Sequence, residues 1–420
     1  MRVALLLQRD TSRLFIVMVV IGVSAALTGC SPGPASAPGS DAPAVFVGSA
    51  ACRECHLDIH TRWQDTLMAN VLQDPEARPA AILADFDAAN PLVTFGPEDI
   101  AFTYGSKWKQ RYFTRVGDDF FVFPAQWDVR NREWRRYHPQ PGGDWWTAFY
   151  PIDPMQRPTG PLCDGCHSVN YDLETKTPTE WNVGCESCHG PGSAHLDEPD
   201  SGTPNIVNPA RLDTFRATDV CIQCHSQGQP LTNPIGGQHY DWPVGYRPGA
   251  QLSDYWRLDE SHPGEETFTH WPDESAHKNR MQGNDFVQSQ MYVKGVTCSA
   301  CHDVHGTEHD ADLLAPGNDV CVACHTPQLQ PGPAQALTEH TQHASDSTGS
   351  QCVACHMPLN ARTVGNVNVR SHTFAFVSPV MTERFGIPNP CTACHTDESN
   401  EWALRELRSW PHVSPWRVAP

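Results

Sequence analysis

One short pattern governs this chain: Cys-x-x-Cys-His occurs eight times in 420 residues. The copies are Cys52-Cys55-His56, Cys163-Cys166-His167, Cys185-Cys188-His189, Cys221-Cys224-His225, Cys298-Cys301-His302, Cys321-Cys324-His325, Cys352-Cys355-His356 and Cys391-Cys394-His395, here numbered sites one to eight. Together they take sixteen of the seventeen cysteines and leave Cys30 over. About 0.03 copies would arise by chance from the cysteine and histidine content, so the repetition carries chemistry. Two thiols three residues apart lie on one side of a helical turn, where both can form thioethers to the vinyl groups of one porphyrin. The adjacent histidine then reaches the iron. Zinc also takes paired cysteines, but it combines two pairs, or a pair with two histidines at other spacings, and would leave eight adjacent histidines without a role. The pattern predicts eight haem c groups.

Haem on this scale also explains the composition. Gly (30) and Pro (37) are abundant, only 18% of residues are charged, and the mean hydropathy is −0.45, which describes a loop-rich chain with few long regular elements. Eight porphyrins would leave about 49 mature residues for each, so the macrocycles themselves form most of the apolar interior. Thirteen Trp and 21 His fit such an interior. A net charge of −19, with no block of Lys or Arg, excludes nucleic acid and anionic lipid bound through a basic patch. Redox partner proteins of the cell envelope and small-molecule electron donors or acceptors remain.

The first residues set the location. Arg2, Arg9 and Arg13 precede an apolar run from Leu14 to Leu27 that is too short to span a bilayer and reads as a secretory signal over 1–29. The ending Leu27-Thr28-Gly29-Cys30 resembles a bacterial lipoprotein box, in which cleavage exposes Cys30 for acylation. Ser31 stands where the inner-membrane retention signal of such lipoproteins would be Asp. The Pro-, Gly- and Ser-rich stretch that follows makes 30–45 a tether. The expected product is exported and held by its lipid at the periplasmic face or outer membrane, the alternative being a soluble periplasmic or extracellular protein.

Beyond the tether, 46–150 should hold site one and a β insert, 151–410 a haem-packed region with sites two to eight, and 411–420 a tail. Ser49 is placed to cap a helix that carries the first motif through Trp63 to about Leu72. The aromatic and Val-rich stretch over 99–137, broken by Gly-Ser and Gly-Asp-Asp, predicts two or three strands joined by hairpins. Residues 285–294 read as a helix, and 397–410 as an amphipathic helix with Ala403, Leu407 and Trp410 on one face, stopped by Pro411. The fold class expected is mostly α with long loops around stacked haems. Sites two and three, 22 residues apart, and sites five and six, 23 apart, should be spatial neighbours.

The phrases VGSAACRECH, CESCHGPGSAH, GVTCSACHDVHG and CVACHMP followed by RSHTFAF resemble the multihaem cytochromes c related to the tetrahaem cytochrome of ammonia oxidisers. That superfamily includes the pentahaem nitrite reductase, the octahaem hydroxylamine oxidoreductase and the tetrathionate reductase. The resemblance runs through most of 46–410 as local phrases and implies parallel and perpendicular haem pairs in a loop-rich fold. It does not identify a substrate. His195 and His305 resemble the family's distal histidines, which reach across to a neighbouring haem.

Six-coordinate irons need further axial ligands. Besides His195 and His305, the candidates are His340 and His343 in EHTQH, His372 in RSHTF, and His270 and His277 in THWPDESAH. His60, His138, His239, His262, His309 and His412 lack a supporting phrase, and Met68 reads as core packing. Seven good candidates for eight irons leave either one missed ligand or one open iron. Two functions follow: an electron-transfer relay, or a redox enzyme acting on a small nitrogen or sulfur compound of the nitrite, hydroxylamine or tetrathionate type at one five-coordinate haem. All eight motifs end in His, which removes the Lys that marks the active haem of pentahaem nitrite reductases, and no tyrosine stands out as a counterpart to the one that hydroxylamine oxidoreductases cross-link. A filament-forming cytochrome is a third possibility, disfavoured by a lipid on Cys30.

Overall fold

Regular elements are short throughout the computed structural model, which describes residues 43–137, 151, 153–199, 205–325, 333–411 and 413–419. The signal segment, Cys30, most of the tether, His138 and His412 lie outside the described residues. The longest described helix, Asn400–Ser409, has ten residues. Its start is fixed by Ser399, whose Oγ accepts from the Trp402 N–H, and its apolar face buries Ala403 and Leu407 as expected, whereas Trp410 is already in extended backbone beyond the helix end. No described helix is long and apolar enough to cross a membrane.

The mostly α expectation holds only in part, because small antiparallel sheets share the chain with the helices. The predicted helix from Ser49 to about Leu72 is a 3-10 turn, Ser49–Cys52, then a helix over Leu57–Gln64, with Leu72 already in a strand. The helix predicted over 285–294 is two short ones, Gln282–Phe286 and Gln290–Val293. Ser289 divides them: its backbone is extended and its Oγ caps the second helix through the Tyr292 N–H. The first break lies at the attachment turn of site one, where the chain must change direction within a few residues, which hydrophobic periodicity does not register; the second is set by the extended backbone of Ser289.

The insert is larger than its sequence suggests. Strands β1 (Leu72–Gln73), β2 (Phe102–Tyr104), β3 (Lys109–Val116), β4 (Asp119–Val122), β5 (Ala125–Asp128) and β6 (Glu133–Arg136) form a sheet in the order β1-β2-β3-β5-β6, with β4 also paired to β3. Side chains alternate across β3. Tyr112 joins a core of Phe95, Ile100, Phe123, Trp127 and Trp134, in which the rings of Phe95 and Phe123 stack 3.9 Å apart. Each such buried side chain contributes about 1.5–3 kcal/mol. Phe113 points the other way, into a second cluster with Leu72, Val122 and Tyr137, against which Tyr104, Phe120 and Trp181 pack. Two-stranded ribbons at 168–169/180–181, 228–230/256–258 and 359–364/367–370 complete the strands described.

Asn182 ties the sheet to the haem-motif region. Its Oδ1 accepts from the Leu72 N–H and its own N–H donates to the His167 carbonyl. Gly105, at φ 79°, turns β2 into β3, and a Cβ there would lie 2.8 Å from the Lys109 carbonyl oxygen. The turn fixes Tyr104 at the end of β2.

Candidate haem sites

The motif turns are built alike. Cys352–His356 and Asp319–His325 are helices of one to two turns, and Asn389 caps Pro390–Cys394 by accepting from the Cys391 and Thr392 N–H groups. In sites one, two, three, four, five and eight the histidine N–H donates to the carbonyl of the first cysteine, which sets both thiols and the imidazole on one surface. All sixteen motif thiols are free. Among the described residues no three His, Cys, Asp or Glu side chains converge to hold a bare metal ion, so the sulfurs do not form the tetrahedral cages that zinc requires.

Four motif histidines face a second histidine. Ring centroids are 6.3 Å apart for His56 and His195, 6.3 Å for His189 and His305, 6.2 Å for His356 and His340, and 6.2 Å for His395 and His343. An iron bonded to two imidazoles at about 2 Å, with about 1.1 Å from each nitrogen to its ring centre, gives a separation of about 6.2 Å. The spacing fits an iron between the rings and is too wide for direct stacking. Orientation agrees. Nδ1 of His189 donates to the Val207 carbonyl (2.8 Å), that of His302 to Ala311 (2.9 Å), that of His372 to Arg370 (3.2 Å), and that of His343 to Thr341. A carbonyl only accepts, so Nδ1 carries the proton and Nε2 is left bare for a metal. His305 reaches the same state through Asp303, held in turn by Arg62 at 2.9 Å.

The remaining candidates sit differently. His372 lies in the field of both His302 and His225, and burial pushes its pKa down to about 4. His270 is buried with Nδ1 against Thr269 Oγ1, and His277 directs Nε2 at the Thr267 carbonyl (2.8 Å); neither shows a ring contact with a motif histidine. His225 faces the Gln282 side chain, and His325 is exposed next to His356. His60, which had no supporting phrase, is 5% exposed with Nδ1 buried and lacking a hydrogen-bond partner. Its signal was its place four residues after His56 on one helix face.

Site two is distinct. Its His167 meets Tyr104, whose hydroxyl lies 3.1 Å from Nε2, with the rings edge-on at 4.8 Å. Burial, with Arg280, Arg111 and His225 nearby, pushes the His167 pKa down to about 3. Tyr104 is paired across the sheet with Arg111, whose guanidinium lies over the Tyr104 and Tyr137 rings at 5.6 and 4.5 Å. A cavity of about 420 Å³ opens beside Cys166 and Cys224, walled by Tyr171, Trp242 and Tyr246 with Arg247 at its edge, as suits a flat aromatic ring bearing carboxylates.

Thiols of different motifs adjoin. The Cys52 thiol lies beside that of Cys185, Cys166 beside Cys224, Cys221 beside Cys298, and Cys321 beside Cys352, each pair close enough to perturb the other's ionisation. Cys224 also lies in the field of Cys188, Cys301 in that of Cys324, and Cys355 in that of Cys391 and Cys394. Sites five and six are neighbours, as their spacing implies. The thiols of site two meet site four, and those of site three meet sites one and four.

Residues 291–330, holding sites five and six, match the doubled CXXCH motif family, and 151–190, holding sites two and three, match the family of cytochrome c554 and c-prime. A multiheme cytochrome MtrA of Shewanella baltica is 26% identical over 157 residues, 35% of this chain and 43% of that protein. The high-molecular-weight cytochrome c of Nitratidesulfovibrio vulgaris is 26% identical over 247 residues, 56% of this chain and 38% of that protein.

The chain belongs to the multihaem cytochrome c family.

This multihaem cytochrome spans about two-fifths of the length of those two relatives. In fold it is similar to the crystal structure of the outer cell wall cytochrome OcwA, with a TM-score of 0.70 and 24% identity, covering 87% of this chain and 86% of that one. It binds haem c, whose iron supplies the redox chemistry, while the protein sets axial ligands and surroundings.

Proposed function

We propose that this cytochrome is an eight-haem electron relay of the cell envelope, tethered by a lipid on Cys30 and passing electrons between redox partner proteins or to a small-molecule acceptor. The carrying observation is the run of adjoining motif thiols. Once each thiol is a thioether at a porphyrin edge, the haems follow the path one, three, four, five, six, seven, eight, with site two branching from four. No haem is left off the path. The signal segment, with the outer cell wall location in the name of the similar structure OcwA, supports the envelope location.

The haem at each motif is held by its two cysteines and its own histidine. Histidines 195, 305, 340 and 343 complete the irons of His56, His189, His356 and His395, and His372 that of His302 or His225. The reading makes haem content decisive: alkaline pyridine haemochrome spectra of the purified mature protein should return eight haems per chain, and six or fewer would refute it. It also assigns ligands across motifs. His305→Ala should give one high-spin iron at site three, not at site five three residues away. Electron paramagnetic resonance checks this, since the new signal should vanish when Cys185 and Cys188 are also replaced by alanine.

The enzyme reading, acting on a small nitrogen or sulfur compound, is favoured by one observation: His167 faces a tyrosine and not a second histidine. A stoichiometric high-spin signal that shifts with nitrite or hydroxylamine would carry that reading over the relay.

A further inference from the structure

We propose that the phenol oxygen of Tyr104 is the sixth ligand of the haem held by His167. The inference rests on a haem occupying site two. Across the other partnered motif histidines, the group opposite the imidazole stands at the distance of a second axial ligand, and it is a histidine each time. Across His167 it is an oxygen, 3.1 Å from Nε2.

An iron with two axial bonds of about 2 Å each separates its donors by about 4 Å. Tyr104 must therefore retreat by about 1 Å when the porphyrin enters, which brings its oxygen to bonding distance. Leaving the iron open to water or a substrate would take a further retreat of more than about 1 Å. The structure resists that. Tyr104 is held on β2 between β1 and β3, its ring stacks on Phe113 at 5.4 Å, and Arg111 covers it. Burial pushes the Tyr104 phenol pKa up, and Arg111 and Arg280 offset part of that rise with positive charge that an iron-bound phenolate would meet; Arg280 is anchored by Asp241 at 3.1 Å. A hard anionic oxygen favours ferric over ferrous iron, so site two becomes a low-potential branch off site four.

The test uses the full haem-loaded chain and its Tyr104→Phe and Tyr104→His variants, compared by haem count, optical spectra and electron paramagnetic resonance. One haem in eight of the wild type should show a high-spin ferric signal and a phenolate-to-iron charge-transfer absorption. Tyr104→Phe should lose the absorption, and Tyr104→His should convert that haem to low spin. Wild-type spectra with low-spin signals alone, or a high-spin haem whose spectra ignore both variants, would overturn the proposal. So would a wild-type haem that binds cyanide as fast as the Tyr104→Phe variant does. The Cys163→Ala/Cys166→Ala variant separates the premises: a haem count one lower than wild type establishes haem at site two, and an unchanged count refutes both readings together.

Discussion

With the haem-loaded chain fixed to an electrode through its N-terminus, replacing Cys298 and Cys301 by alanine should reduce the charge exchanged at fast scan rates to about half. The N-terminal residues lie beside site three: the Val45 N–H donates to Ser193 Oγ and those of Val47 and Gly48 to Glu186. In the proposed relay, electrons arriving along residues 45–48 would enter at sites one and three, and site five would link site four to site six. Without its haem, sites one to four still titrate and sites six to eight lose contact. A chain retaining seven-eighths of the charge would show a second route and refute the linear path. A gentler change keeps all haems in place. His372 lies near both trunk histidines, His302 and His225, so His372→Met should raise the potential of one trunk haem, because thioether ligation favours ferrous iron. Passage across the trunk should slow while haem content stays unchanged.

The second large effect is structural and falls on Glu186. This carboxylate sits inside the third motif, is 1% exposed, and has no cation bonded to it among the contacts described. Its oxygens accept from the N–H groups of Val47 (3.0 Å), Gly48 (2.8 Å) and Gly192 (2.7 Å), fastening the strap before site one to the turn before His195. Glu180 adds a second clasp by accepting from the N–H and hydroxyl of Ser49. Glu186→Ala would leave three enclosed N–H groups without an acceptor at about 1–3 kcal/mol each, offset in part by removal of a desolvated charge. The expected net loss is about 3 kcal/mol or more, read from denaturant unfolding. The loss should come with a partial high-spin signal from site one, because Gly192 positions the segment that carries His195. Glu186→Gln, which keeps an acceptor oxygen, should lie between. Stability within about 0.5 kcal/mol of wild type would remove Glu186 from this role.

Motif spacing fixed the chemistry in advance because thioether attachment is local: two thiols and an imidazole on one turn suffice, whatever the rest of the fold does. Distal ligation is not local. His195 meets His56 from 139 residues away and His305 meets His189 from 116, across contacts that neither periodicity nor propensity encodes. The phrases around them gave the candidates, and the fold supplied the partners. Spacing read as distance held for sites two and three, whose turns pack together and border one cavity, but it did not show that the thiols of site two also meet site four.

The insert shows the same division. Its aromatic alternation announced strands, but the count was low, because short strands closed by single-glycine turns leave little pattern to read. Nothing in the sequence distinguished Tyr104 among nine tyrosines. What selected it is tertiary: the end of β2, the turn at Gly105 and the Asn182 bridge bring that one hydroxyl to His167. By itself the sequence determined the cofactor and its points of attachment, since covalent chemistry depends only on neighbouring residues. Which motifs adjoin and which histidine faces each motif histidine were decided by the tertiary structure, since both are set by groups far apart along the chain that only folding brings together.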